Sequence, residues 1–141
     1  MRLTIDALLV ACRQRIVRLT AGEAYAAVQA GTVLIDVRSS DQRRERGIVP
    51  GAIWYPRNVL EWRVDPSVES HDPAIGGPDE PLLLLCAEGY QTSLAAATLV
   101  DLGFTRAGEV VDGFEGWEAA GLPIVPFDES RDLFQGSPLA R

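Results

Sequence analysis

The chain has 141 residues, which fits one domain able to bury roughly two thirds of the surface that its unfolded form exposes. A composition of 47% hydrophobic and 23% charged residues is typical of globular proteins and excludes the disordered and fibrous classes. The net charge of -7 argues against binding to nucleic acid or to an anionic membrane, because such proteins present clustered positive charge. No stretch reaches the roughly 18 apolar residues of a membrane span, so we expect a cytoplasmic protein with no membrane partner.

Cysteine and histidine are scarce in this chain. The two cysteines, Cys12 and Cys86, lie far apart, and the one histidine, His71, sits in a polar stretch. Neither a disulfide framework nor a zinc site can be assembled at any familiar spacing from so few residues. We therefore expect no bound metal.

The predicted elements begin with an amphipathic helix over residues 1–17, in which apolar residues recur at helical spacing and Cys12 faces the core. A capping box formed by Thr20 and Glu23 predicts a second helix, which ends at Gly31. Further along, short apolar runs predict buried strands at 33–37, 52–55, 82–85 and 109–111, with helices at 41–46, 59–64 and 93–102 between them.

This alternation of strands and helices indicates a largely parallel sheet covered on both faces. Residues 65–81 are rich in Pro, Gly and acidic residues and predict a surface excursion. The polar end of the chain predicts a tail with one short helix around residues 129–134.

The most informative segment is the run of four leucines that ends at Cys86. A strand there would place Cys86 at the carboxyl edge of the sheet, where ligands bind in open α/β folds. The loop before the next helix can turn its backbone N–H groups inward and stabilise a thiolate or persulfide, and Gly89 supplies the conformational freedom for such a turn. Taken alone, this pattern still favours a buried core cysteine that happens to end a strand.

Four segments in register change that interpretation: IDVR at 35–38, GIVPGA at 47–52, CAEGYQ at 86–91, and DGFEGW at 112–117 with AGLP at 120–123. They resemble the Asp-x-Arg motif, the Gly-His-Ile-Pro-Gly-Ala turn, the six-residue active-site loop and the terminal signature of the rhodanese family. The resemblance implies an α/β, three-layer fold with a central, mostly parallel five-stranded sheet and helices on both faces. An N-terminal helix (1–17), a rhodanese-like domain (18–125) and a tail (126–141) follow as the expected divisions.

The resemblance also implies sulfur transfer without a cofactor. Cys86 would take sulfane sulfur from a small sulfur donor or a protein persulfide, hold it as a persulfide, and pass it to a thiol acceptor, or to cyanide in an assay. Asp36 and Arg38 would be structural residues near the site. The residues expected to bind the substrate in the loop are Ala87, Glu88, Gly89, Tyr90, Gln91 and Thr92.

The loop departs from the family pattern in its charge. It contains no arginine or lysine, Gln91 stands where an arginine is common, and Glu88 should repel a dianion such as thiosulfate. We therefore expect a protein persulfide, a mercaptan or another donor of low charge. Positive charge could come from Arg57 or Arg63, which follow a predicted strand at its carboxyl end.

Two other functions compete with sulfur transfer. The acidic loop suits a catalytically weak rhodanese-like module that binds a partner or senses sulfur or redox state. A phosphatase with a Cys-x5-Arg loop is disfavoured, because Thr92 occupies the position of the arginine that clamps phosphate. The sequence makes no prediction of the oligomeric state.

Overall fold

The structure is a computed structural model that describes residues 2–129. Its strands are β1 (Val17–Leu19), β2 (Val33–Asp36), β3 (Ile53–Trp54), β4 (Leu82–Leu85) and β5 (Ala107–Val110). Its α-helices are α1 (Ile5–Arg13), α2 (Ala21–Gln29), α3 (Ser40–Arg46), α4 (Leu60–Val64), α5 (Gln91–Asp101) and α6 (Gly113–Ala119). Two short 3-10 turns lie at Arg57–Val59 and Pro73–Ile75.

The five strands form one sheet in the order β1-β5-β4-β2-β3, and every neighbouring pair is parallel. Strand β4 is central, and all four of its leucines are buried. A continuous apolar run is what a strand covered on both faces requires, which explains why this strand could be read directly from the sequence. The predicted five-stranded, mostly parallel α/β sheet is confirmed.

Helices cover both faces of the sheet, and the alternation of side chains along β4 decides which face receives Cys86. Leu82 and Leu84 pack with Cys86 and with alanines of α5, including Ala95. The intervening residues of β4 point the other way and pack with α2 and α6. Cys86 therefore leaves the sheet on the α5 side, next to the start of that helix.

The N-terminal segment differs from the prediction. Helix α1 ends at Arg13, and the residues from Val17 form edge strand β1 beside β5 instead of continuing the helix to residue 17. A three-residue strand is too short to show a period of two, so its apolar residues were assigned to the helical spacing. Gly108 of β5 permits the pairing, because a Cβ there would overlap the carbonyl oxygen of Val17.

Two other N-terminal features follow the prediction. Cys12 is buried where α1 packs on α5. Thr20 and Glu23 form the expected reciprocal capping box at the start of α2. The bond from the Thr20 backbone N–H, reinforced by the Thr20 hydroxyl, lowers the pKa of Glu23.

Residues 65–81 run over the surface as predicted, but they are anchored at two points. The Tyr55 hydroxyl donates to Asp72 Oδ2 at 2.7 Å, and Ile75 is 1% exposed within the α5-side core. The limits of the domain at residues 17 and 125 stay a prediction. The short helix predicted around residues 129–134 lies outside the described residues.

Candidate active site around Cys86

Strand β4 delivers Cys86 to the carboxyl edge of the sheet, and α5 begins five residues later at Gln91. Cys86 is 2% exposed, and the Gly89 N–H donates to its Sγ at 3.2 Å. Gly89 has φ +89°, and a Cβ at this position would lie 3.0 Å from the backbone nitrogen of Asp112. Both the turn and the close approach of Asp112 therefore require glycine here.

The first turn of α6 holds the Cys86 loop in place through its free backbone N–H groups. Phe114 N–H donates to the carbonyl of Cys86 at 2.8 Å, and Glu115 N–H donates to the carbonyl of Ala87 at 3.1 Å. Gly113, at φ +56°, lies against the same loop, where a Cβ would overlap the Cys86 carbonyl oxygen. The terminal motif at 112–117 is thus part of the site.

A buried hydroxyl and a buried carboxylate lie behind the sulfur. Thr92 Oγ1 is 3.3 Å from Cys86 Sγ and donates to Glu109 Oε1 at 2.7 Å. The Ser93 hydroxyl is 2.7 Å from Glu109 Oε2. Thr92, Ser93 and Glu109 are each 0% exposed. Sequence reasoning missed Glu109, whose signal was a carboxylate inside an otherwise apolar strand.

Two arginines of the N-terminal segment lie on the α5 side of the loop. Arg13 of α1 donates through Nη2 to the Gly89 carbonyl at 2.9 Å and through Nε to Ser93 Oγ at 3.0 Å. Arg18 of β1 donates through Nε to Glu109 Oε2 at 2.9 Å. Neither arginine was singled out from the sequence, because the partners of both lie more than 70 positions away along the chain.

The two arginines that were singled out make other contacts. Arg57 binds both carboxylate oxygens of Glu61, at 2.8 and 2.9 Å. Arg63 donates to the carbonyl of Ser70 at 2.8 Å. Neither bond involves the Cys86 loop, so a role for these arginines in binding a donor stays a prediction.

A cavity of about 210 Å³, lined by residues of both charges, borders the loop on its α3 side. Glu88, which is exposed, lines it together with Ala87 and with Glu45 and Arg46 of α3. Arg46 is engaged by Glu118, whose hydrogen bond raises the pKa of the guanidinium. Tyr90 of the loop is 58% exposed. The guanidinium carbon of Arg13 lies 5.7 Å from the centroid of the Tyr90 ring.

Asp36 and Arg38 form a buried ion pair next to this cavity. Both residues are 1% exposed, and Arg38 Nη2 donates to Asp36 Oδ2 at 2.9 Å and to the Gly47 carbonyl at 2.8 Å. The guanidinium carbon also lies 3.9 Å from the ring centroid of Phe114. The pair thus joins the 35–38 and 47–52 motifs to the helix that holds the Cys86 loop.

Residues 2–129 contain neither a cluster suited to hold a metal ion nor a helix suited to cross a membrane. In that range, no group of three or more His, Cys, Asp and Glu side chains is placed to hold a metal ion. No helix within the same residues has the length and apolar character needed to cross a bilayer.

Comparisons with known proteins agree with this architecture. The thiosulfate sulfurtransferase GlpE of Actinobacillus pleuropneumoniae serotype 5b is 44% identical over 46 residues, which is 33% of this chain and 43% of that protein. The match therefore spans less than half the length of this curated relative.

Two solved structures are similar over most of the chain. A protein of unknown function from Rhodopseudomonas palustris, described as a possible tyrosine phosphatase, is 30% identical with a TM-score of 0.80, over 89% of this chain and 96% of that one. The polysulfide-sulfur transferase homodimer of Wolinella succinogenes is 25% identical with a TM-score of 0.71, over 87% and 88% of the two chains. The sequence model of the Rhodanese-like domain matches residues 20–120, and the chain therefore belongs to the rhodanese-like domain family.

Proposed function

We propose that the protein is a sulfurtransferase that carries sulfane sulfur as a persulfide on Cys86. The observation that carries this proposal is the position of Cys86 Sγ, held at the end of β4 with the Gly89 N–H directed at it from 3.2 Å. A preorganised N–H donor at a strand-to-helix loop stabilises negative charge without reorganisation during the reaction. Similarity to the sulfurtransferases from Actinobacillus and Wolinella supports the same chemistry.

The proposed reaction has two balanced steps and uses no cofactor. In the first, the Cys86 thiolate attacks the terminal sulfur of a donor R–S–S⁻. A new S–S bond forms on Cys86, and the S–S bond of the donor breaks as R–S⁻ leaves with the electron pair. In the second, a thiolate or cyanide attacks the outer sulfur of the persulfide, and Cys86 departs as the thiolate.

Intact-mass spectrometry tests this proposal directly. Two donors serve as probes: thiosulfate, whose S–S bond breaks as sulfite leaves with the electron pair, and an α-mercapto ketone, whose C–S bond breaks as the enolate leaves. With either donor the protein should gain one sulfur atom that cyanide removes. Cys86→Ser should abolish the adduct, whereas Cys12→Ser should retain it, since Cys12 is buried between α1 and α5. An adduct on the Cys86→Ser variant, or none with any donor, would reject the sulfurtransferase and leave the binding or sensing module.

The charge of the loop predicts which donor is preferred. Glu88→Gln should raise kcat/KM for thiosulfate by roughly fivefold, because removing one exposed carboxylate relieves about 1 kcal/mol of repulsion toward the dianion. The kcat/KM for a low-charge mercaptan donor should change less than twofold, because a surface substitution usually changes a free energy by no more than roughly 0.5 kcal/mol. Steady-state cyanide assays with both donors measure the ratio.

A matched control for Glu88→Gln is Asp101→Asn, which makes the same change of charge at the far end of α5. It should leave both donors unaffected, because an exposed charge that distant from Cys86 is largely screened by salt. Equal gains for thiosulfate and the mercaptan in Glu88→Gln would show that Glu88 does not select the donor.

Phosphatase chemistry is not favoured by the same geometry, despite the description given to the Rhodopseudomonas protein. The residue six positions after Cys86 is Thr92, and its hydroxyl donates to the buried carboxylate of Glu109. A phosphoryl group held there would lack an arginine clamp and would face a second negative charge.

A further inference from the structure

The direction of the Thr92 hydroxyl proton decides whether Cys86 meets a hydrogen-bond donor or an acceptor. Thr92 has a single O–H, and its Oγ1 lies 2.7 Å from Glu109 Oε1 and 3.3 Å from Cys86 Sγ. A carboxylate can only accept hydrogen bonds and is the stronger acceptor of the two partners. The proton therefore lies toward Glu109, and Thr92 presents a lone pair to the sulfur.

The groups around Glu109 keep its carboxylate a hydrogen-bond acceptor. Among residues 2–129, the groups that bond or pair with its carboxylate are donors or cations: Thr92 and Ser93 from α5, Arg18 from β1, and Arg13 from α1 with its Nε at 3.9 Å. Its register neighbour on β4 is the apolar Leu84.

We infer that Glu109 is a positioning residue which, through Thr92, holds the empty Cys86 as a thiol whose S–H donates to Thr92 Oγ1. Forming the thiolate then requires the Thr92 hydroxyl to turn toward sulfur, and Glu109 loses one of its donors. This inference deepens the proposed function, since it assigns a control on the same cysteine.

The Thr92–Glu109 pair favours Cys86 as a persulfide over Cys86 as a thiolate without bound sulfur. In a persulfide, the inner sulfur has no proton to place and the charge sits on the outer sulfur, about 2 Å farther along the S–S bond. Repulsion by Glu109 is therefore weaker for the persulfide than for the thiolate. Glu109 thus protects the empty cysteine from other electrophiles and biases sulfur toward staying on Cys86.

Alkylation of Cys86 by iodoacetamide tests the inference on the whole chain, without any sulfur donor. Glu109→Gln removes the charge and offers an amide N–H to Thr92, which frees the hydroxyl proton for the sulfur. Alkylation near neutral pH should become roughly tenfold faster, with its rate–pH profile displaced to lower pH. Mass spectrometry resolved by peptide separates Cys86 from Cys12. Slower alkylation would overturn the inference, because it would mean that Glu109 favours the thiolate of Cys86.

Thr92→Val shows whether Glu109 acts through the hydroxyl. It removes both the acceptor of the S–H and the hydroxyl that would turn toward the thiolate, so the informative result is its coupling with Glu109. In the Thr92→Val background, Glu109→Gln should change the rate much less than it does alone. Equal effects in the two backgrounds would mean that the charge of Glu109 acts directly, and would overturn the role of Thr92.

Infrared spectroscopy of the unaltered chain provides a measurement that no folding defect can disturb. A hydrogen-bonded S–H stretching band of Cys86 should be present at neutral pH and absent from the Cys86→Ser variant. Lack of this band would overturn the inference even if sulfur loading succeeds. Conversely, the band and the faster alkylation of Glu109→Gln with no sulfur adduct would reject only the proposed function.

Discussion

Replacing Gly113 by alanine should lower the free energy of unfolding by about 3 kcal/mol and cut the rate of sulfur loading on Cys86 by at least about tenfold. The left-handed φ of +56° is costly for any residue with a Cβ. That Cβ would also overlap the Cys86 carbonyl oxygen and lie 2.9 Å from the backbone nitrogen of Glu88. The loop must shift to relieve the overlap, and the Gly89 N–H moves with it.

Gly121→Ala separates strain of the backbone from displacement of the loop. Gly121 has φ +71°, and a Cβ there meets no atom within 4 Å. Its substitution should cost only the roughly 1–2 kcal/mol of a left-handed conformation and leave loading unchanged. Urea unfolding and timed mass spectrometry measure the two quantities. If both variants lose the same stability and load equally well, α6 does not hold the loop.

The sequence predicted the parts of this protein that local patterns determine. The leucines of β4 are buried on both faces, so their composition alone marks the strand. The sequence predicted a tight loop at Gly89 because glycine tolerates positive φ, and the structure gives this residue a φ of +89°. The motif at 112–117 could be recognised, but its contacts with the Cys86 loop required the fold.

Other parts depend on distant contacts that no local pattern records. Strand β1 exists because it pairs with β5, and it has too few residues to show an alternation of its own. Arg13 reaches the Gly89 carbonyl only because α1 packs on α5. Glu109 accepts hydrogen bonds from α5 and β1, and Arg13 of α1 lies 3.9 Å from its carboxylate. The sequence pointed instead to Arg57 and Arg63, because they follow a predicted strand at its carboxyl end.

The second large effect is expected at Arg38. Arg38→Ala should lower the free energy of unfolding by about 3–5 kcal/mol, the range found when one partner of a buried ion pair is removed. Asp36 would lose its three bonds from the Arg38 side chain, at 2.9, 3.1 and 3.3 Å, and the Gly47 carbonyl would lose its donor. Arg43, with Nε 3.5 Å from Asp36 Oδ2, cannot reproduce that planar pair.

Arg44→Ala is the matched control, because Arg44 forms an exposed pair with Glu129 at 2.9 Å. Its loss should cost no more than about 1 kcal/mol. Sulfur loading of Arg38→Ala, measured well below its unfolding transition, shows whether Arg38 stabilises the fold or takes part in sulfur transfer. A structural Arg38 predicts that Arg38→Ala still loads Cys86 while folded, since the loop keeps its bonds from α6. A stable Arg38→Ala variant that cannot load would instead place Arg38 in the binding of the donor, through the cavity that it shares with Glu88.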